Sequence, residues 1–194
     1  MSVIDSVKAK QISLYDMRLS SRITGSVVAQ FCRTTYRSLR NWEKGTTIPN
    51  IVNVHDLLQI YDHSFYDLDL TLYTARKDRT SIQQRIDNAL QNKMQVGKPI
   101  TNLSLQDMRQ HCGYSGAAVA EICEVSYRSI RNWETGAFIP NVIHANDLLT
   151  LYGYAFYDLD LTPFYTMLET RLKRKGERTV QMIDNLFTDK TILK

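Results

Sequence analysis

Cysteine is scarce in this 194-residue chain: three copies, an odd number, with no C-x-x-C spacing. That count argues against a disulfide framework or a zinc ribbon and fits reduced thiols in a cytoplasmic protein. The four histidines (His55, His63, His111 and His144) include no pair at metal-ligand spacing. No Ser-His-Asp, metal or phosphate-loop constellation is present, so neither an enzyme nor a metal or other cofactor is expected. No uninterrupted apolar stretch approaches the ~18 residues needed to cross a bilayer, so no membrane partner is expected. Met1-Ser2-Val3-Ile4-Asp5-Ser6 lacks a basic region followed by an apolar core, so no secretory signal is expected there. Sustained alternation of apolar and polar residues is also missing, which leaves an all-α fold.

What the chain does contain is a repeat. Tyr36-Arg37-Ser38-Leu39-Arg40-Asn41-Trp42-Glu43-Lys44-Gly45 recurs as Tyr127-Arg128-Ser129-Ile130-Arg131-Asn132-Trp133-Glu134-Thr135-Gly136. Met17, Gly25 and Cys32 align with Met108, Gly116 and Cys123, and Ile48-Pro49-Asn50 with Ile139-Pro140-Asn141. Phe65 through Thr71 aligns with Phe156 through Thr162, so roughly half of about 60 ungapped positions are identical, well beyond compositional coincidence. The reading is two similar units, residues 1–95 and 103–194, joined by a linker at 96–102 that contains Gly97-Lys98-Pro99. Two repeats are too few for a solenoid and suggest an internal pseudo-dimer.

Helix signals recur at the same offsets. In the second unit Ser104 caps a helix running to about His111, and Gly113 ends it. Ser115 caps the next helix, with Val119, Ala120, Ile122 and Cys123 on its apolar face. Ser126 caps a third, with Ile130 and Trp133 inward and Gly136 as its stop. Pro140-Asn141 opens a fourth, with Val142, Ala145, Leu148, Leu149 and Tyr152 inside, and a turn at Phe156-Tyr157-Asp158-Leu159 closes the bundle. Ser13, Thr24, Thr35 and Asn50 are the matching caps of the first unit. Beyond each bundle lies one more amphipathic stripe: Ile82, Ile86 and Leu90, then Val180, Ile183, Leu186 and Phe187. These trailing segments are expected either to fold back on their own bundles or, preferably, to pack against each other.

Twenty-four Lys and Arg against 20 Asp and Glu leave a net charge of +4, compatible with a polyanionic partner without demanding one. Basic residues concentrate at Arg76-Lys77-Asp78-Arg79 and in Arg171 through Arg178. Such runs are either solvated surface or phosphate contacts.

The pattern Ser115-Gly116-x-x-x-Ala120-Glu121-x-x-x-Val125-Ser126-x-x-x-Ile130-x-x-Trp133-Glu134-x-Gly136-x-x-x-Pro140 resembles the lambda-repressor/Cro-like (XRE) helix-turn-helix family, and both units carry it. The resemblance implies that the helices opening at Thr35 and Ser126 are recognition helices whose N-terminal residues enter the DNA major groove. By position, Tyr36, Arg37, Ser38, Arg40 and Asn41, with Tyr127, Arg128, Ser129, Arg131 and Asn132, stand where that family meets DNA. Arg matches guanine O6 and N7 bidentately, and Asn matches adenine N6 and N7. Lys44 and Thr135 stand where a phosphate contact is expected. Trp42 and Trp133 align with core positions, and Glu43 and Glu134 with an acid that pairs with Arg18 and Arg109. One departure stands out: Gly25 and Gly116 replace a common Gln, leaving the backbone N–H at that helix start as the expected phosphate contact.

The expectation is therefore a sequence-specific double-stranded DNA-binding protein, a transcriptional repressor or regulator reading two related half-sites. Its partner would be duplex DNA, bound by a monomer with internal pseudo-two-fold symmetry and without a small-molecule substrate. The resemblance leaves open an accessory protein of conjugative transfer acting near a transfer origin, on a plasmid or phage. A protein-interaction module such as an antitoxin is the remaining alternative. The matching Tyr-Arg-Ser-x-Arg-Asn faces speak against it, because protein-binding copies would be free to diverge.

Overall fold

The computed structural model describes residues 11–74, 79–91 and 101–189, with side chains at 175 and 177–189 excluded. Most of the expected linker lies outside it, as do Arg76, Lys77 and Asp78 of the first basic run. The side chains of the stripe Val180, Ile183, Leu186 and Phe187 also lie outside the described residues, as do those of Lys175, Glu177 and Arg178. The chain is all-α as described: eleven α-helices, two short 3-10 turns and three isolated backbone bridges, with no strand among the described residues.

The first half comprises α1 (Leu14–Ser20), α2 (Gly25–Phe31), α3 (Tyr36–Glu43) and α4 (Ile51–Tyr61), then a 3-10 turn at Phe65–Asp67 and α5 (Thr71–Thr74). The trailing α6 covers Thr80–Gln91. The second half repeats the order with α7 (Leu105–His111), α8 (Gly116–Ile122), α9 (Tyr127–Glu134) and α10 (Val142–Tyr152). A turn at Phe156–Asp158 then leads into α11 (Thr162–Asp189). All eight expected caps occupy the residue before their helix, and seven accept a backbone N–H through the side chain; Thr24 does not. Each such bond satisfies a donor that the first helical turn leaves unpaired. Gly45 and Gly136, at φ 65° and 69°, carry the left-handed residue that stops α3 and α9.

Each half is closed by a backbone clasp. Ile12 N donates to Asp67 O (2.7 Å) and Ile12 O accepts from Asp69 N (2.9 Å). Leu103 does the same with Asp158 and Asp160, at 2.8 Å each. The clasp brings the chain entering each bundle against the turn that leaves it. The buried apolar side chains, among them Met17, Leu39, Ile51, Leu57, Met108, Ile130, Leu148 and Tyr152, form one cluster through both halves. Cys32 and Cys123 lie inside it as expected, 4% and 2% exposed.

Contacts between the halves are reciprocal at several points. Ile51 N donates to Pro140 O at 3.1 Å, and Val142 N donates to Pro49 O at 3.0 Å. In the repeat Ile51 is equivalent to Val142 and Pro49 to Pro140, so each half gives the other the same bond. Asn50 and Asn141 form an antiparallel bridge between them. Phe65 and Phe156, also equivalents, stack with ring centroids 4.3 Å apart and planes 7° from parallel.

Among the described residues α6 makes its main contacts with α8 and α10 of the second half rather than with its own bundle; the α11 stripe expected to meet it lies outside the described residues. Arg79 pairs with Asp147, Ser81 Oγ donates to Glu124 Oε1 (3.0 Å), and Arg85 Nη1 donates to the Glu121 carbonyl (3.0 Å). Ile82 and Ile86 are buried beneath it. α11 reaches the other way at its start, where Tyr165 donates its hydroxyl hydrogen to Asp56 of α4 and lies 2.7 Å from His55 Nδ1. Asp56 and Asp147 are equivalents, so each half's acid at this position takes a donor from the other half's tail. Sequence periodicity marks an apolar stripe on such a helix without naming the surface it will cover.

Candidate nucleic-acid interface

α3 and α9 are eight-residue helices with sharply segregated faces. Leu39 and Trp42 of α3, with Ile130 and Trp133 of α9, turn inward and are at most 9% exposed. Packing therefore fixes the rotation of each helix and decides which side chains face out. Trp42 and Trp133 belong to the core, as expected. Trp133 stacks on His144 at 5.1 Å between centroids, and the Tyr73 hydroxyl donates to the Trp42 carbonyl at 2.8 Å.

The expected ion pairs lock each helix to the one that opens its bundle. Arg18 of α1 grips Glu43 of α3 with two parallel bonds, Nε to Oε1 at 2.5 Å and Nη2 to Oε2 at 3.2 Å. Arg109 of α7 repeats this with Glu134 of α9 at 2.6 and 3.1 Å, and its Nη1 donates to the Tyr114 carbonyl at 2.9 Å. The hydrogen bond to the carboxylate outweighs burial and raises the pKa of both guanidinium groups, keeping them charged. These arginines are consumed by structure.

Arg37, Arg40, Arg128 and Arg131 lie on the opposite, exposed side and make no ion pair among the described residues. Arg40 stands over the Tyr36 ring, 5.9 Å from its centroid. Tyr36 and Tyr127 are 47% and 58% exposed at the first position of each helix. These six side chains form matching outward faces in the two halves, as the repeat implied.

The other expected contacts are placed differently. Ser38 and Ser129 belong to the caps, donating through their backbone N–H to Thr35 Oγ1 and Ser126 Oγ, 3.0 Å in both. Asn41 and Asn132 are half-buried near the helix ends, and their carbonyls accept from the following turns: Thr46 N at 2.9 Å and Phe138 N at 3.2 Å. Lys44 is at the end of α3, whereas the Thr135 hydroxyl points its hydrogen at the Arg131 carbonyl (2.9 Å) of its own helix. Gly25 and Gly116 sit directly under a tyrosine ring. A Cβ on Gly116 would come within 2.7 Å of Tyr127 Cε2, and one on Gly25 would meet the Tyr36 ring closer still.

Sequence reasoning left out Tyr15 and Leu72 of this surface. Ser13, Tyr15, Arg18, Tyr36, Arg40, Glu43, Lys44 and Leu72 line an open cavity of about 650 Å³ between α1 and α3. Its second-half equivalents include Gln106 for Tyr15, Thr135 for Lys44 and Pro163 for Leu72, so the surroundings of the two faces are not identical. Arg171 of α11 stands over Phe138 at 5.5 Å from the ring centroid, beside the turn that follows α9. Its place in a basic run was visible in the sequence; its neighbour was not, because that contact joins segments far apart in the chain. No helix of the described residues is long and apolar enough to cross a membrane. No protein-family model, curated protein or solved structure matches the chain.

Proposed function

We propose that the chain is a sequence-specific double-stranded DNA-binding protein, a transcriptional regulator built as an internal dimer of two lambda-repressor-like helix-turn-helix units. α3 and α9 are its recognition helices. The observation that carries this reading is the pair of equivalent arginine faces, Arg37 with Arg40 and Arg128 with Arg131, on helices whose rotation is set by buried tryptophans and bidentate ion pairs. Planar guanidinium forks on a short rigid helix suit guanine edges in the major groove. Asn41 and Asn132, half-buried, are secondary contacts. Lys44 supplies a phosphate contact that Thr135 supplies less readily.

The reciprocal bonds at Pro49-Asn50-Ile51 and Pro140-Asn141-Val142, with the stacked Phe65 and Phe156, support a local two-fold relation between the units. A two-fold relation implies inverted half-sites with centres about 34–36 Å apart, one turn of the duplex. Selection from a random duplex pool, followed by binding at several salt concentrations, tests this. The expected result is an imperfect inverted repeat whose affinity falls steeply with salt. No sequence enriched over the starting pool would overturn the reading; a direct repeat would overturn the two-fold arrangement alone.

A further inference from the structure

We propose that Tyr36 and Tyr127 are positioning residues. Each ring wedges over the start of the preceding helix and sets how α2 meets α3 and α8 meets α9. Gly25 and Gly116 stand where they do because the ring occupies the space of a side chain. The role assigned to these tyrosines rests on the DNA-binding reading of α3 and α9; the Gly–Tyr packing does not.

Three observations carry it. A side chain on either glycine would meet the ring of the tyrosine eleven residues later, in both halves: the Cβ would approach Tyr127 Cε2 to 2.7 Å and Cδ2 to 3.3 Å, and Tyr36 Cδ2 to 3.0 Å. Real Cβ contacts essentially never fall under 3.0 Å, so a larger residue has to push the ring out. The neighbouring positions tolerate change, Ser26 and Val27 becoming Ala117 and Ala118, while Gly and Tyr stay together. Gly brings no side chain to the first position of either helix, which leaves the space that the tyrosine ring fills. Finally, each tyrosine follows the N-cap, Thr35 or Ser126, and so lies inside the turn that the cap bond from Ser38 N or Ser129 N closes. A ring packed on the preceding helix from within that turn links the helix start to the arginines one and four positions further on. In the first half the link is direct, since Arg40 stands over the Tyr36 ring.

The test uses the full chain with Tyr127→Phe, Tyr127→Ala, Gly116→Ala and the double variant Gly116→Ala/Tyr127→Ala. Each is measured against the selected duplex, against duplexes with single changes in the half-site read by α9, and against random duplex. Tyr127→Phe keeps the ring and is expected to retain affinity and discrimination within about twofold. Tyr127→Ala and Gly116→Ala are each expected to cut discrimination in that half-site about tenfold, with binding to random duplex changed less than about twofold. The double variant should be no worse than either single one, because the ring that a methyl group at position 116 would displace is gone. If Tyr127→Phe is as damaging as Tyr127→Ala, the hydroxyl meets DNA directly and the proposal fails. It fails equally if the two single effects add, or if Gly116→Ala is harmless. Should the native chain prefer no duplex, the DNA-binding reading falls, and melting temperatures decide the packing. Gly116→Ala should then shift melting in the native background and leave it unshifted in the Tyr127→Ala background; an equal shift in both overturns the lock.

Discussion

At the scale of single residues, the two Arg–Glu pairs separate scaffold from reader within one short motif. Glu43 and Glu134 lie one position after a buried tryptophan, nearly sealed from water, and their oxygens are satisfied by a guanidinium fork. Removing one partner strands the other charge. Arg109→Ala is expected to lower unfolding free energy by about 3 kcal/mol in urea denaturation. Replacing both partners with leucine should recover most of that loss, since a buried ion pair contributes little beyond apolar packing of similar volume. A double variant as unstable as the single one would contradict this account. The thiols yield a second expectation. Burial, reinforced by Asp56 and Asp147, pushes Cys32 and Cys123 up to about 12. At pH 8 only about one thiol in ten thousand would then be ionised, and the thiolate is the nucleophile. Iodoacetamide at that pH should therefore spare both cysteines in the folded chain and modify them after denaturation, as read by mass spectrometry.

At the scale of elements, the helices needed little help from long-range packing to be located. Ser126 is followed by a helix because its hydroxyl accepts from Ser129 N three residues on, a bond that depends on sequence neighbours alone. The same holds at Ser13, Thr35, Asn50, Ser104, Ser115 and Asn141, and all were readable as caps. Ser126→Ala is expected to cost about 1 kcal/mol of stability. On the proposed function it should also weaken reading by α9 more than by α3, measured as discrimination between half-sites. At Ser38, Ser129 and Thr135 the hydroxyls also lie within hydrogen-bond distance of Thr35 Oγ1, Ser126 Oγ and the Arg131 carbonyl, contacts within their own helix starts and ends. A residue type at an offset does not tell which neighbouring group its hydroxyl meets.

At the scale of the whole molecule, two sequence repeats behave as one packed body. Tail α6 covers α8 and α10, tail α11 begins against α4, and the equivalent acids Asp147 and Asp56 receive Arg79 and Tyr165 from across the boundary. A single cooperative unfolding transition is expected by calorimetry and by fluorescence, with coincident midpoints; two separable transitions would contradict the shared core. Arg79→Ala should be costly near neutral pH, because burial raises the Asp147 carboxyl above its ordinary 3.8 and Arg79 pulls it back. An acid whose folded value is raised loses stability as pH climbs from the unfolded value through the folded one. Without Arg79 that rise is larger. The deficit of Arg79→Ala relative to the native chain should therefore shrink as pH is lowered toward about 4, and a deficit that is constant with pH would refute the pairing.

The amino-acid sequence alone determined what depends on spacing of a few residues: the duplication, the all-α character, the caps, the inward tryptophans and the outward arginines. Those features follow from turn geometry and 3.6-residue periodicity, which act over four or five neighbours. Tertiary structure alone decided how the halves meet and which half each tail covers. Ile82 and Ile86 would present the same apolar stripe to either bundle; the choice lies in contacts such as Arg79 with Asp147, made between residues 68 positions apart. It also decided why glycine opens α2 and α8: space, measured against a tyrosine ring, is not written in the glycine itself.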